Sequence, residues 1–123
     1  MTKKILIVDD EPMILKQLEQ RLVTEGYEIV KATNGDEAVQ KALESRPDLV
    51  IMDILMPGMD GLEAVTSLRQ HRETKDTPVI FLTALQRRED EVKQGHKVGK
   101  ELIFAKPFDG KELVENIRKL LEG

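Results

Sequence analysis

The stretch Ile5-Leu6-Ile7-Val8-Asp9-Asp10-Glu11-Pro12 holds, in eight residues, the unit from which the whole chain is built. Four apolar residues in a row, three of them β-branched, leave no polar face for water, so they read as a strand covered on both sides. Three acids end it. Pro12 then suits the first turn of a helix, where its missing N–H would have found no intrahelical acceptor. Ile14, Leu15, Leu18 and Leu22 recur at helical spacing up to Gly26.

The alternation continues to the end of the chain. Residues 27–32, around Ile29 and Val30, read as a second strand. Asn34 with Glu37 three residues on is a capping pair for a helix whose inner face is Ala38, Val39, Ala42 and Leu43. Leu49-Val50-Ile51-Met52 repeats the first strand. After a loop with Pro57, Gly58 and Gly61, the residues Leu62, Val65 and Leu68 mark a third helix. Val79-Ile80-Phe81-Leu82 and Leu102-Ile103-Phe104-Ala105 are the fourth and fifth strands. Asp109 with Glu112 starts a last helix with Leu113, Ile117, Leu120 and Leu121 inward. Residues 86–98 form the weakest helix in this reading: Val92 and Val98 are its main apolar anchors, and Gly95 lies inside it. An interior glycine costs about 1 kcal/mol against alanine, so a short or frayed helix is expected there.

Strand–helix alternation through five units makes an α/β fold, a three-layer α/β/α sandwich with a five-stranded parallel sheet and helices on both faces. No linker, low-complexity segment or further repeat interrupts the 123 residues, so a single domain spanning 1–123 is expected. With no cysteine, disulfide scaffolds, thiolate zinc sites and cysteine nucleophiles are excluded. His71 and His96 are too far apart in the chain to form a ligand cluster and read as surface helical residues. No apolar run approaches the ~20 residues of a membrane span, and the four apolar residues after Lys4 are too few for a signal-peptide core. A cytoplasmic setting without membrane attachment is expected. Net charge is −4 and aromatic content 3%, a poor composition for direct nucleic-acid binding. The charge is uneven: the first 85 residues hold 10 basic and 15 acidic residues, the remainder 9 and 8.

Part of that acid excess falls where strands end. Ligands of open parallel sheets bind beyond the carboxyl ends of the strands, near the point where strand order reverses. Asp9 and Asp10 follow the first strand, Asp53 closes the third, Thr83 the fourth, and Lys106 follows the fifth. One rim would collect all five. Three carboxylates there repel one another, and a bound divalent ion relieves the repulsion. Magnesium takes oxygen ligands and commonly combines one or two carboxylates with waters and a phosphate. With a lysine and a hydroxyl beside it, such a group cradles phosphoryl oxygens, and a carboxylate can itself be the nucleophile. Taken singly, each has a plainer reading: Asp9, Asp10 or Glu11 as a helix cap, Asp53 as a turn former, Thr83 as a strand end, Lys106 as a solvated lysine.

Asp9-Asp10-Glu11, the run from Asp53 through Ile54-Leu55-Met56-Pro57-Gly58-Met59-Asp60 to Gly61, Thr83-Ala84 and Lys106-Pro107-Phe108 together resemble the receiver domain of two-component response regulators, chemotaxis regulators among them. The likeness spans essentially the whole chain, with the motifs in the family's order and spacing. It implies a flavodoxin-like sheet of order 2-1-3-4-5. It also implies that Asp53 accepts a phosphoryl group from the phosphohistidine of a sensor histidine kinase or phosphotransfer protein. Asp10, Asp53 and the backbone carbonyl of Leu55 would then bind Mg2+, with Asp9 acting mainly through water. Lys106 would pair with the phosphoryl group or the Asp53 carboxylate, Thr83 would hydrogen-bond a phosphoryl oxygen, and the small Ala84 would leave room for the donor. The module would phosphorylate and dephosphorylate itself but turn over no outside metabolite. It would signal to a downstream effector domain or protein, as a stand-alone regulator or as part of a longer one.

Three other classes compete with this reading. A Mg2+-dependent aspartyl-phosphate phosphohydrolase would carry a second acid two residues after the nucleophile, where this chain has Leu55. A flavodoxin-type cofactor binder would need a hydroxyl- and glycine-rich loop where Asp9-Asp10-Glu11 stands. A degenerate receiver would bind partners without phosphorylation. One position departs from the family pattern: Ile103 stands three residues before the lysine, where an aromatic is usual. Phe104 beside it should point to the opposite sheet face, because strand side chains alternate. Signal transfer is therefore expected to rely on the loop after Thr83 and the weak helix over 86–98.

Overall fold

Strand β1 (Lys4–Val8) lies between β2 (Glu28–Ala32) and β3 (Leu49–Asp53), parallel to both, with Leu6 opposite Val30 on one side and Val50 on the other. The computed structural model describes residues 2–54, 58, 60–83, 96–98, 101–105 and 109–122. Beyond β3 come β4 (Val79–Thr83) and β6 (Glu101–Ala105), again parallel, and β5 (His96–Val98) pairs antiparallel with β6 at the edge. The sheet runs β2-β1-β3-β4-β6-β5, so its five parallel strands stand in the expected order 2-1-3-4-5. The helices are α1 (Pro12–Thr24), α2 (Gly35–Ser45), α3 (Gly61–Arg69) and α4 (Gly110–Glu122).

Alternation of side chains divides the core in two. Ile5, Ile7, Leu49, Ile51, Ile80, Leu82 and Phe104 face one side, under Leu15, Leu18 and Leu22 of α1 and Leu113, Val114 and Ile117 of α4. Leu6, Val8, Val50, Met52, Val79 and Phe81 face the other, under Ala38 and Ala42 of α2 and Ala64, Val65 and Leu68 of α3. Every strand residue from Ile5 to Val8 is buried, which is why β1 is apolar without interruption. Two helical residues expected inside lie outside: Leu62 is 54% and Leu120 40% exposed. In α3 the buried series is Gly61, Ala64, Val65 and Leu68, an i, i+3, i+4, i+7 stripe that leaves Leu62 to one side. In α4 the inward stripe takes Val114 in place of Leu120.

Side-chain caps set the starts of α2, α3 and α4. Asn34 accepts the Glu37 N–H at 2.8 Å, and the Glu37 carboxylate reaches back to the Thr33 N–H at 2.6 Å, one residue earlier than in the usual reciprocal box. Asp109 accepts from the N–H groups of Lys111 and Glu112 at 3.0 and 3.2 Å. Past α1 the chain turns through Gly26 at φ +95°, a conformation that side chains rarely adopt.

The reading of residues 86–98 as a helix is corrected at its end. His96–Val98 is a strand, with Val98 opposite Glu101 and His96 opposite Ile103. Only Gly99 and Lys100 separate the paired residues, a two-residue spacing with a leading glycine that suits a hairpin. Pairing with the open edge of β6 outweighs the weak helical pattern. The rest of that helix, residues 86–95, lies outside the described residues. His96 is therefore not helical, and half-buried His71 sits just past α3, its Nδ1 2.9 Å from the Ser67 carbonyl oxygen.

At the opposite end of the sheet from the strands' carboxyl ends, Tyr27 ties the turn between α1 and β2 to the last helix. Its hydroxyl donates to Glu122 Oε2 at 3.1 Å, and Arg118 pairs with Glu25. Burial, then the Glu122 carboxylate, raises the Tyr27 phenol above its ordinary value of 10.0. The folded state thus favours the neutral phenol: this contribution to stability is complete below the unfolded value and is lost as pH rises through the higher folded one. Tyr27 is the only tyrosine and there is no tryptophan, so near-ultraviolet phenolate absorbance reports it alone. Folded protein should ionise at higher pH than urea-unfolded protein; coincident curves would show that the environment does not hold the phenol neutral.

Candidate functional site

Parallel strands finish on the same rim of a sheet, and the pairing carries that rim across four strands. Val8 lies beside Met52, Asp53 beside Leu82, and Thr83 beside Ala105. Asp9 therefore leaves β1 next to the strand that Asp53 closes. Here β1 has β2 on one side and β3 on the other, so strand order reverses and a crevice opens beyond the carboxyl ends.

Asp9 and Asp53 are buried, 1% and 4% exposed, while Asp10 and Glu11 are exposed. Asp9 is fixed through its backbone and its side chain. Its N–H donates to the Ala32 carbonyl at 3.2 Å, and its Oδ1 accepts the Glu11 N–H at 2.9 Å, which turns the chain into α1. Glu11 is the N-cap residue of that helix but makes no side-chain capping hydrogen bond. On the other side, the Gly61 N–H donates to the Ile54 carbonyl at 2.9 Å and Asp60 caps α3 by accepting the Glu63 N–H at 2.9 Å. The start of α3 is thereby fastened to the residue after Asp53.

Asp9, Asp10, Glu11 and Asp53 can each place one carboxylate oxygen so that all four lie within 4.8 Å of one another. Carboxylate oxygens without nitrogen or sulfur suit a hard divalent cation such as magnesium. The donor set fits that ion. Buried Asp9 and Asp53 form an inner wall, and exposed Asp10 and Glu11 leave the outer side open to an incoming group.

Of the residues singled out in the sequence, the fold brings together Asp9, Asp10 and Asp53. Thr83 closes β4, its side chain lying outside the described residues; Leu55, Ala84 and Lys106 also lie outside them. Glu11 was read only as a helix cap and belongs to the acidic group. Its position directly after two aspartates, with Pro12 already occupying the first helical position, was the available signal.

A sequence profile described as the response regulator receiver domain matches residues 5–118. This chain belongs to that family. The receiver domain is 45% identical over 118 residues to the transcriptional regulatory protein ResD of Bacillus subtilis, covering 96% of this chain and 48% of ResD. It thus spans about half the length of the curated relatives it matches. Among solved structures it resembles the chemotaxis protein CheY4 of Vibrio cholerae, with TM-score 0.84 and 34% identity over 98% of this chain and all of that one. It also resembles the receiver domain of the sensor histidine kinase PA1611 from Pseudomonas aeruginosa, with TM-score 0.85 and 28% identity over the full length of both chains. That structure has a magnesium ion coordinated in its active-site cleft. Receiver domains of this family are signalling switches that bind Mg2+ at the acidic site and interact with histidine kinases and downstream effectors. Among the described residues of this receiver domain, no helix is long and apolar enough to cross a membrane.

Proposed function

We propose that residues 1–123 form a single cytoplasmic receiver domain that is switched by phosphorylation of Asp53. The observation that carries this reading is the convergence of four carboxylates at the point where strand order reverses, one of them on the last residue of β3. Gathering such charges, two of them buried, costs free energy unless a cation offsets it.

Asp10, Asp53 and the Leu55 backbone carbonyl hold Mg2+ in this reading, with Asp9 acting through water. When bound, the ion neutralises charge on the carboxylates and on the phosphoryl oxygens. An Asp53 oxygen forms a bond to phosphorus as the donor's P–N bond breaks, and the departing imidazole takes up a proton. Lys106 and Thr83 receive the phosphoryl oxygens. In dephosphorylation, a water oxygen bonds to phosphorus as the P–O bond to Asp53 breaks; the water's proton leaves on the phosphate or to solvent, and the carboxylate is restored. The donor is a sensor histidine kinase or phosphotransfer protein, and the output goes to an effector domain or protein. The receiver domain itself contacts neither nucleic acid nor membrane.

Incubation with acetyl phosphate and Mg2+, followed by intact mass and peptide mapping, tests this reading. One acid-labile phosphoryl group on Asp53 is expected; its absence, or its appearance elsewhere, would refute the assignment. Asp10→Asn should weaken Mg2+ binding at least about tenfold, the loss that follows removal of even a supporting group from a metal site. Calorimetric titration checks this, and an unchanged affinity would remove Asp10 from the ligand set.

A further inference from the structure

Gly61 is buried at the first position of α3, where its backbone needs no left-handed conformation, since the positive-φ glycines among the described residues are Gly26 and Gly58. Neither helix geometry nor backbone conformation requires glycine here. Alanine would be the better helix former. A Cβ at this position, however, would lie 2.3 Å from the Asp53 carbonyl oxygen, 2.9 Å from the Ile54 Cα and 3.1 Å from the Asp53 carbonyl carbon. These are backbone atoms, so the clash cannot be relieved by turning a side chain. The first residue of α3 rests directly on the peptide bond that follows Asp53, and its own N–H donates to the next carbonyl, that of Ile54.

We infer that Gly61 is a positioning residue for the phosphoryl acceptor: the missing side chain lets α3 press on the Asp53–Ile54 peptide and so sets how far the Asp53 carboxylate reaches toward Asp9, Asp10 and Glu11. The inference rests on Asp53 being the acceptor. Any side chain at position 61 must move that peptide or α3 by most of an ångström to leave the forbidden range. Displacements of that size in a reacting group cost about 100-fold in rate.

The test uses the full chain, acetyl phosphate and Mg2+, with rates and affinities expressed per folded molecule. Gly61→Ala should label about 100-fold more slowly at saturating Mg2+, the penalty for an ångström-scale misplacement, and should bind Mg2+ about tenfold more weakly. Leu68→Val, which loosens the buried far end of the same helix, should lower the melting temperature and leave both quantities unchanged. Wild-type values for Gly61→Ala would overturn the inference, as would an equal loss in Leu68→Val, which would reduce Gly61 to a helix-stability role. If Gly61→Ala does not fold, the Gly61 amide resonance of the wild-type chain decides: it should shift in step with Mg2+ binding, and a stationary resonance overturns the proposal. A wild-type chain that takes no label on Asp53 removes the acceptor reading and this inference with it. A labelled wild type with an equally labelled Gly61→Ala removes the inference alone.

Discussion

Asp53→Asn is expected to abolish uptake of acid-labile phosphate from acetyl phosphate, lowering the labelling rate by about 10³-fold or more, since removal of a covalent nucleophile costs at least that much. The substitution keeps the side chain's shape in a site only 4% exposed, so loss of labelling reads out chemistry rather than repacking. An amide oxygen carries no negative charge and is a poor nucleophile toward phosphorus, whereas a carboxylate can form the acyl phosphate. Asp10 and Glu11 lie in the same group and are more exposed, so they are the internal comparison. Exposure alone would favour them as acceptors; position at the end of β3, against the base of the crevice, favours Asp53. Intact mass with peptide mapping separates the two. Undiminished labelling in Asp53→Asn would take the acceptor role from Asp53.

The three aspartates of this site were legible because Asp9 and Asp53 each directly follow an uninterrupted apolar run, with Asp10 next after Asp9, and parallel pairing brings the ends of such runs to one rim. The four apolar residues from Ile5 to Val8 and those from Leu49 to Met52 could hardly be anything but buried strands. Glu11 was not legible as a member of the group. Its carboxylate looks like a helix cap in the sequence, and only the turn made by Asp9, which accepts the Glu11 N–H, brings it toward the metal group rather than the helix. Strand β5 escaped for a different reason. His96-Lys97-Val98 has one apolar residue and no alternation to detect, and its pairing depends on the free edge of β6, a tertiary circumstance that local pattern cannot carry. The role of Gly61 was equally hidden. A glycine in a loop-to-helix run reads as a turn former, and the carbonyl that excludes its Cβ comes from a residue eight positions earlier.

Phe104→Ala should be the most damaging of the core substitutions. The ring is fully buried between the sheet and the helices α1 and α4, and truncating such a residue costs about 3–5 kcal/mol. For a chain of this size that corresponds to a fall in melting temperature of roughly 10–20 °C. Ile103, the adjacent residue, lies on the other face, partly buried against the cluster formed with α2 and α3. Ile103→Ala should therefore cost clearly less, about 1–2 kcal/mol, since less surface returns to water and the vacated space is open to solvent. The comparison bears on signalling as well as stability. The family places its usual aromatic at the position of Ile103, and the aromatic of this chain is instead locked into the opposite core. A ring held there without solvent exposure cannot swing toward the acidic crevice without opening the α1–α4 core, so Ile103→Ala should leave Mg2+ binding intact while Phe104→Ala unfolds the domain at lower temperature. Thermal melts of the two variants, paired with Mg2+ titration, decide this. A larger loss of stability in Ile103→Ala than in Phe104→Ala would reverse the facing of β6 and put the aromatic back within reach of the site.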